Sequence, residues 1–443
     1  SRKYKIQQGV AHIQGVRFSH CGQAGLAACI NFGIQEKQSC SSAPFGEETL
    51  PADNSIRDCV FEESQGMGVH VDSAMNILVA NNVMHAAYIA GISVNGVNNS
   101  ILGNWVSEVN DDPNSELFGK SWAELQVKNG VKTSSFDVRG YKNTMIGNAA
   151  VGGHGNGFRT IAYPCDPRLG AAEGAGAFVR DNYARAAPVG VDVTHPGYCS
   201  GVEAKKMGLA GIVPGVSLGD YSLIPQFDWM GGSTREPASW YPVSEGTTKH
   251  CLEVRSFVVT RSPVYGVVMG AKEFSITVKF KDLLLIDAGY ATVHASSQGG
   301  SMPSGKSSVA QMKALNKGGA ASGEYDSTTN RFSLPAGTKT APLSIKHHDA
   351  SRPDSHFAVL NSRIVGGNYR CGQAGVIAGN YYLSAGENLD RMRTAPLNGP
   401  LLNQATVIAN TTFESYGAWD GSFQPSDSSH IELDYFDVKG CPV

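Results

Sequence analysis

The chain has 443 residues, a formal net charge of −3 and only 17% charged residues, so it carries no basic footprint for nucleic acid or an anionic membrane surface. No run of 18 or more apolar residues occurs, which leaves no candidate membrane-spanning helix. Glycine is in excess, 52 of 443 residues or about 12% against a usual ~7%, while Pro is ordinary at 20, so the composition is neither collagen-like nor that of a disordered linker.

Residues 1 to 34 alternate apolar and polar types through Val10, His12, Ile13, Val16 and Phe18, reach the turn Cys21-Gly22-Gln23-Ala24-Gly25, and continue in Cys29-Ile30-Asn31-Phe32. This reads as two strands of one coil with a turn at the glycines. Residues 35–53, with Pro44, Gly46 and Pro51, read as a surface loop. One phrase then appears three times: Arg57-Asp58-Cys59-Val60-Phe61, Ala80-Asn81-Asn82-Val83-Met84 and Gly103-Asn104-Trp105-Val106-Ser107, with Val60, Val83 and Val106 spaced by 23. A second strand-like run follows the first two copies, Gly68-Val69-His70-Val71 and Gly91-Ile92-Ser93-Val94, again 23 apart. Short β runs repeating every ~20–25 residues cannot bury their own apolar face and must stack on neighbours. The fold predicted is an all-β parallel β-helix, a solenoid with long inserted loops, in which Val60, Val83 and Val106 form one interior file. The frequent tight turns account for the glycine, which takes positive φ without steric cost.

Further along, a polar insertion is expected from Asn110 to about Gly140. The phrase returns at Ile146-Gly147-Asn148-Ala149-Ala150 and Arg180-Asp181-Asn182-Tyr183-Ala184, followed by Gly157-Phe158-Arg159-Thr160 and Gly190-Val191-Asp192-Val193. Val202 to Val213 reads as another coil and 214–248 as a loop. Coils resume at Cys251 and continue through Leu283-Leu284-Leu285-Ile286; 298–340 reads as an exposed flap. Strands return at 343–345 and 357–360, and Cys371-Gly372-Gln373-Ala374-Gly375 repeats the earlier pentapeptide. Residues 1–385 thus form the solenoid, with insertions near 35–53, 110–140, 214–248 and 298–340. Residues 386–443, including Ile431-Glu432-Leu433-Asp434-Tyr435, form a C-terminal capping or docking segment, because a bare solenoid end presents unpaired backbone groups.

Nine cysteines are scattered without a C-x-x-C pair for zinc or thiol exchange. Disulfides are the expected use, with Cys21, Cys29, Cys40, Cys59, Cys165 and Cys199 as candidates, which would place the chain in an oxidising compartment; mostly buried, reduced cysteines in a cytosolic protein are the alternative. The odd count leaves one thiol free, buried or paired elsewhere. The opening at Ser1, without Met or a signal-like segment, reads as a processed product or an excerpt of a longer polypeptide. Asn98-Asn99-Ser100 and Asn410-Thr411-Thr412 fit the acceptor pattern for N-glycans, at Asn98 and Asn410. The asparagines at 76, 81, 82, 99, 104 and 148 read as turn and ladder residues.

Catalytic groups in a solenoid must be sought as columns, since successive coils stack about 4.8 Å apart. His70 and Asp72, with His85 and Tyr88, form one candidate set for a general base or a metal; outward decoration of the coils explains them as well. His347-His348-Asp349 with His356 cannot chelate together on one strand, because adjacent residues point to opposite faces. His154 and Arg159 sit beside Gly152, Gly153 and Gly155, which a turn explains. No nucleophile elbow, phosphate loop or zinc-protease helix is present. The residues alone therefore assign no catalytic, metal or cofactor site.

The run Val16 to Gly25, followed by Asn54–Phe61, Gly68–Asp72, Asn76–His85, Asn98–Val106 and Gly147 through Cys165, resembles the right-handed parallel β-helix region of the fibrocystin (polyductin) and fibrocystin-like proteins. The likeness spans roughly residues 8–210. It implies a large extracellular or cell-surface glycoprotein, in some cases associated with cilia, and implies no enzyme activity. The same β-helix is similar to that of cell-surface hyaluronidases, whose strand after the Cys-Gly-Gln turn carries an Ile-His-Phe-His type sequence. Here it reads Ile30-Asn31-Phe32-Gly33, without either histidine. The expectation is accordingly a non-catalytic structural or adhesive segment of a coat or filament. Its inserted loops would meet other extracellular proteins, glycans or copies of itself; a polysaccharide-binding or polysaccharide-cleaving β-helix enzyme is the alternative.

Overall fold

A computed structural model describes residues 10–23, 28–32, 54–97, 99–110, 133–141, 143–160, 163–164, 179–194, 249–270, 275–289, 324–326, 331–333, 340–347, 355–380, 404–417, 429–433 and 436–440. Among them there is no helix, and the strands stack into three parallel sheets that wrap one interior. The parallel β-helix read from the sequence is the fold observed. The first sheet runs His12–Gln14, Asn54–Arg57, Ile77–Ala80, Ser100–Leu102, Thr144–Ile146, Val179–Arg180, Lys249–Arg255, Ser275–Lys281, Ser355–Leu360, Gln404–Ala409 and Ser429–Leu433. The second runs Arg17–Ser19, Val60–Glu62, Val83–His85, Trp105–Ser107, Ala149–Val151, Tyr183–Arg185, Val258–Thr260, Leu284–Ile286, Arg363–Ala374, Thr411–Gly417 and Phe436–Lys439. The third runs Ile30–Phe32, Val69–Met75, Ala90–Val97, Ser134–Tyr141, Asn156–Thr160, Val189–Thr194, Tyr265–Gly270, Ala341–His347 and Val376–Asn380. Each of the first nine coils thus has three strands, where the sequence suggested two for the first.

The corner between the first and second sheets explains the repeated phrase. In each of the first ten coils one residue there takes positive φ: Gly15, Asp58, Asn81, Gly103, Gly147, Asp181, Ser256, Asp282, Asn361 and Asn410. Asp, Asn and Gly tolerate this left-handed conformation best, because a short polar side chain can bond locally and glycine has no Cβ. The next residue points inward and is buried Asn in four consecutive coils: Asn82, Asn104, Asn148 and Asn182. Each donates its side-chain amide to a carbonyl of the preceding coil, Ile56, Val79, Ile101 and Met145 respectively, at 2.9–3.0 Å. The first three also donate to the Oδ1 of the next asparagine, at 2.9–3.0 Å. The ladder predicted from Asn82, Asn104 and Asn148 is therefore present, extended by Asn182. Cys59 holds the same position one coil earlier, its backbone N–H donating to Asn82 Oδ1 at 3.0 Å.

The interior is a set of apolar files. On the second sheet the inward residue is the middle of each short strand: Phe18, Phe61, Met84, Val106, Ala150, Ala184, Val259 and Leu285. This corrects the single valine file. Val60 pairs with Val83, but Val83 pairs with Trp105, so the step to the third copy is 22 residues and not 23. A slip of one residue turns a side chain to the opposite face. Val106 is accordingly fully buried while Val83 is 44% exposed. Ring stacking adds to the core at Phe18–Phe61 and Phe136–Phe158, with centroids 4.8 and 4.6 Å apart.

The insertions also differ from expectation. Ser134–Tyr141, inside the predicted 110–140 loop, is a strand of the third sheet. The strands of 179–194 stack directly on those of 249–270 in all three sheets. Val202–Val213, read as another coil, lies outside the described residues, as do 35–53 and 214–248. In 386–443, the strands Gln404–Ala409, Thr411–Gly417, Ser429–Leu433 and Phe436–Lys439 continue the first two sheets in parallel register. Within the predicted 298–340 flap, Glu324–Asp326 and Arg331–Ser333 form an antiparallel pair.

Candidate functional site

The three sheets differ in what their outward faces carry. On the third sheet the inward residues Val69, Ile92, Phe136, Phe158, Val191, Val267 and Leu343 lie in register, so the residues after them form the outward column: His70, Ser93, Asp137, Arg159, Asp192, Val268 and Ser344. From Ser93 onward this column is covered. Exposure is 0% at Ser93, 0% at Asp137, 2% at Arg159 and 1% at Asp192. Outward positions on the second sheet, such as Val83 and Trp105, are 44% and 46% exposed by contrast.

Three ionisable side chains, Asp137, Arg159 and Asp192, therefore stand on consecutive strands under cover. Arg159 Nη1 lies 3.6 Å from Asp137 Oδ2, an ion pair almost wholly withdrawn from water. Bringing such ions out of water costs several kcal/mol each, and a buried pair is no more stabilising than apolar residues of similar volume. The same column accommodates Val268 one strand further on, at 1% exposure. Stability alone thus gives no reason for the Asp–Arg–Asp file. Chemically, it places two carboxyl-bearing residues two strand spacings, about 9.6 Å, apart along the column, with an arginine on the strand between them. Carboxyl pairs serve as proton donor and acceptor, and Arg binds anionic or polar oxygen atoms in a fork.

The other candidates are dispersed. His85 belongs to the second sheet, where its Nδ1 contacts Ser107 Oγ at 3.1 Å and its Nε2 lies 3.8 Å from Glu108. His70 is on the third sheet, so the two histidines face different directions and do not form one site. Tyr88 lies in the turn between those sheets, bridged to Asn110. His154 is exposed on its turn, away from buried Arg159. His348 and Asp349 lie outside the described residues, and no group of His, Cys, Asp and Glu that could hold a metal occurs among the described residues.

Of the cysteine candidates, Cys21 and Cys29 are joined, Cα–Cα 4.9 Å, just before the first strand of the third sheet. Cys59 is corrected to a buried free thiol: it points into the solenoid at the head of the asparagine ladder, its Sγ directed at the Arg57 carbonyl at 3.1 Å. Cys40, Cys165 and Cys199 lie outside the described residues, as does Asn98. Asn410 is an exposed corner residue at φ 47°, its side-chain amide donating to Asn361 Oδ1 at 2.9 Å.

No family model matches the chain, and no curated protein matches it. Among solved structures, the catalytic domain of a GH87 α-1,3-glucanase in complex with nigerose aligns at TM-score 0.36 and 9% identity, covering 97% of this chain and 63% of that one. The periplasmic alginate epimerase AlgG aligns at TM-score 0.26 and 8% identity, covering 88% of this chain and 76% of that one. The chain thus spans less than two thirds of the glucanase structure. At such identity the likeness concerns fold alone. The expectation of a non-catalytic segment finds no support among these matches, which are a glucanase and an epimerase, and is not carried further. The fibrocystin resemblance finds no counterpart among these matches.

Proposed function

We propose that this β-helix acts on a polysaccharide, with Asp137 and Asp192 on the covered face of the third sheet as its acid–base pair. The observation that carries this reading is the buried Asp137–Arg159–Asp192 file, held where apolar residues would fit at less desolvation cost. Carboxyls that cleave a glycosidic bond with inversion stand about 6.5–9.5 Å apart, and Asp137 and Asp192, two strand spacings or about 9.6 Å apart along the column, stand near the upper end of that range. Asp137, beside the Arg159 cation, takes a proton from the attacking water. The glycosidic C–O bond breaks as the water oxygen bonds the anomeric carbon, and Asp192 gives its proton to the departing oxygen. The Cys21–Cys29 disulfide supports a location in an oxidising compartment, outside the cell or at its surface.

The test uses α-1,3-glucan, alginate and hyaluronan as substrates, with new reducing ends and polymer length as readouts. Wild type is expected to shorten at least one of them. Asp137→Asn and Asp192→Asn should each lower turnover at least 100-fold while melting cooperatively, and His154→Ala, on an exposed turn, should leave it unchanged. No turnover of any polymer by wild type, or full turnover by folded Asn variants, overturns the proposal.

A further inference from the structure

The second sheet carries a surface that the acid–base file does not use. Its first outward column reads, coil by coil, Arg17, Val60, Val83, Trp105, Ala149, Tyr183, Val258, Leu284 and Arg363. Seven consecutive positions are uncharged, and all but Trp105 and Tyr183 are wholly apolar. Val83 is 44% and Trp105 46% exposed. The stripe is bounded at each end by an arginine–glutamate pair reaching across adjacent coils: Arg17 with Glu62, and Arg363 with Glu414 at 2.7 and 3.0 Å. The hydrogen bond from Arg363 holds the Glu414 carboxyl below its ordinary value, against a small opposing effect of burial.

We propose that this face is a binding platform for a single linear glycan chain lying along the solenoid axis, stacked on Trp105 and Tyr183. Shape argues for a thread and against a second folded surface. Seven stacked strands extend about 29 Å, and the two outward columns of a three-residue strand lie about 7 Å apart. The resulting strip of roughly 200 Å² is far below the ~800 Å² per partner of a stable protein interface. Composition argues for sugar. Trp105 and Tyr183 are two coils apart, about 9.6 Å, with only the methyl of Ala149 between them. Each ring offers a flat apolar surface to the C–H face of a pyranose and a polar edge to its hydroxyls. The Tyr183 hydroxyl contacts Thr260 Oγ1 of the next coil at 3.1 Å, which lays the ring across the sheet. The neighbouring outward column supplies hydroxyl-bonding groups alongside, Glu62, His85, Ser107, Arg185 and Thr260, interrupted by Val151 and followed by Ile286.

The platform rests on the reading of the chain as glycan-acting, but it lies on another sheet from the acid–base file, so the two are tested apart. Equilibrium binding of α-1,3-glucan, alginate and hyaluronan is measured with Asp137→Asn as the parent, and with the added pair Trp105→Ala and Tyr183→Ala. At least one polymer should bind the parent, and the added pair should weaken it 10-fold or more, with Trp105→Phe restoring part of the loss. Melting of each variant confirms that the coils remain folded. Unchanged binding on removal of both rings overturns the platform, and wild-type turnover then still upholds the catalytic reading. Lost binding without wild-type turnover upholds the platform and overturns the catalytic reading. A parent that binds none of the three polymers overturns the platform.

Discussion

Glycine at the entry to the third sheet shows how one residue type is set by packing between coils. Gly68, Gly91, Gly157, Gly190, Gly266 and Gly375 each precede the inward residue of their strand, where the backbone passes close to the next coil and to the second sheet's interior file. A Cβ on Gly190 would lie 2.3 Å from Val259 Cγ1 and 2.6 Å from the Gly266 carbonyl oxygen. Gly190→Ala is therefore expected to cost about 1–3 kcal/mol or more, as overpacking of a tight core does. Gly15, at φ 67° with nothing within 4 Å of the place a Cβ would take, should lose only the ~1 kcal/mol of an unfavourable backbone when changed to Ala. Chemical denaturation of the two variants checks the order; equal costs would contradict the close approach. The glycine excess was visible in the composition, but positive φ explains only part of it. Many left-handed positions here belong to Asp, Asn and other residues, and the glycines of the third sheet answer to neighbours in space that lie far along the chain, as Gly190 does to Val259 and Gly266.

The strands of the second sheet are mostly three residues long, and corners hold them in place. Left-handed residues stand on both sides, as with Asn81 and Ala86 around Val83–His85, and the asparagine ladder fixes the first corner. Asn104→Ala removes the acceptor of the Asn82 backbone and side-chain amides, and two donors to the Val79 carbonyl and Asn148. With buried groups left unsatisfied at about 1–3 kcal/mol each, a loss of roughly 2–4 kcal/mol is expected by denaturant titration. A loss below about 0.5 kcal/mol, the low end for a single net hydrogen bond, would mean that the ladder is not a stabilising device. The corner was legible because Asp or Asn before a short apolar run recurs at nearly constant spacing. The register was not: a phrase repeated at 23 and then 22 residues looks uniform to the eye, yet the missing residue moves Val106 inward and Trp105 outward.

At the scale of the molecule, coils stack continuously while long insertions leave from their corners, and this arrangement hides the candidate site in the sequence. His70 and Asp192 sit in plain Val-His-Val and Val-Asp-Val strings, and Phe136-Asp137-Val138 repeats the pattern inside what composition marks as a polar loop. The signal that finds the file is a small residue, an apolar residue, a polar residue and another apolar or β-branched one. It recurs at Gly68, Gly91, Ser135, Gly157 and Gly190, across insertions of unequal length. Its cover is not legible at all, because burial of an outward face depends on the whole fold. The covered file, the open platform and the interior share one register, which an engineered cross-link reads directly. Val83→Cys combined with Trp105→Cys places two outward thiols on paired residues about 4.8 Å apart, within the ~4.4–6.8 Å that a disulfide spans. Val83→Cys combined with Val106→Cys places them on opposite faces of the sheet. Mild oxidation followed by non-reducing mass analysis should show a new intrachain disulfide in the first variant and none in the second; the reverse pattern would contradict the stacking on which both surfaces depend.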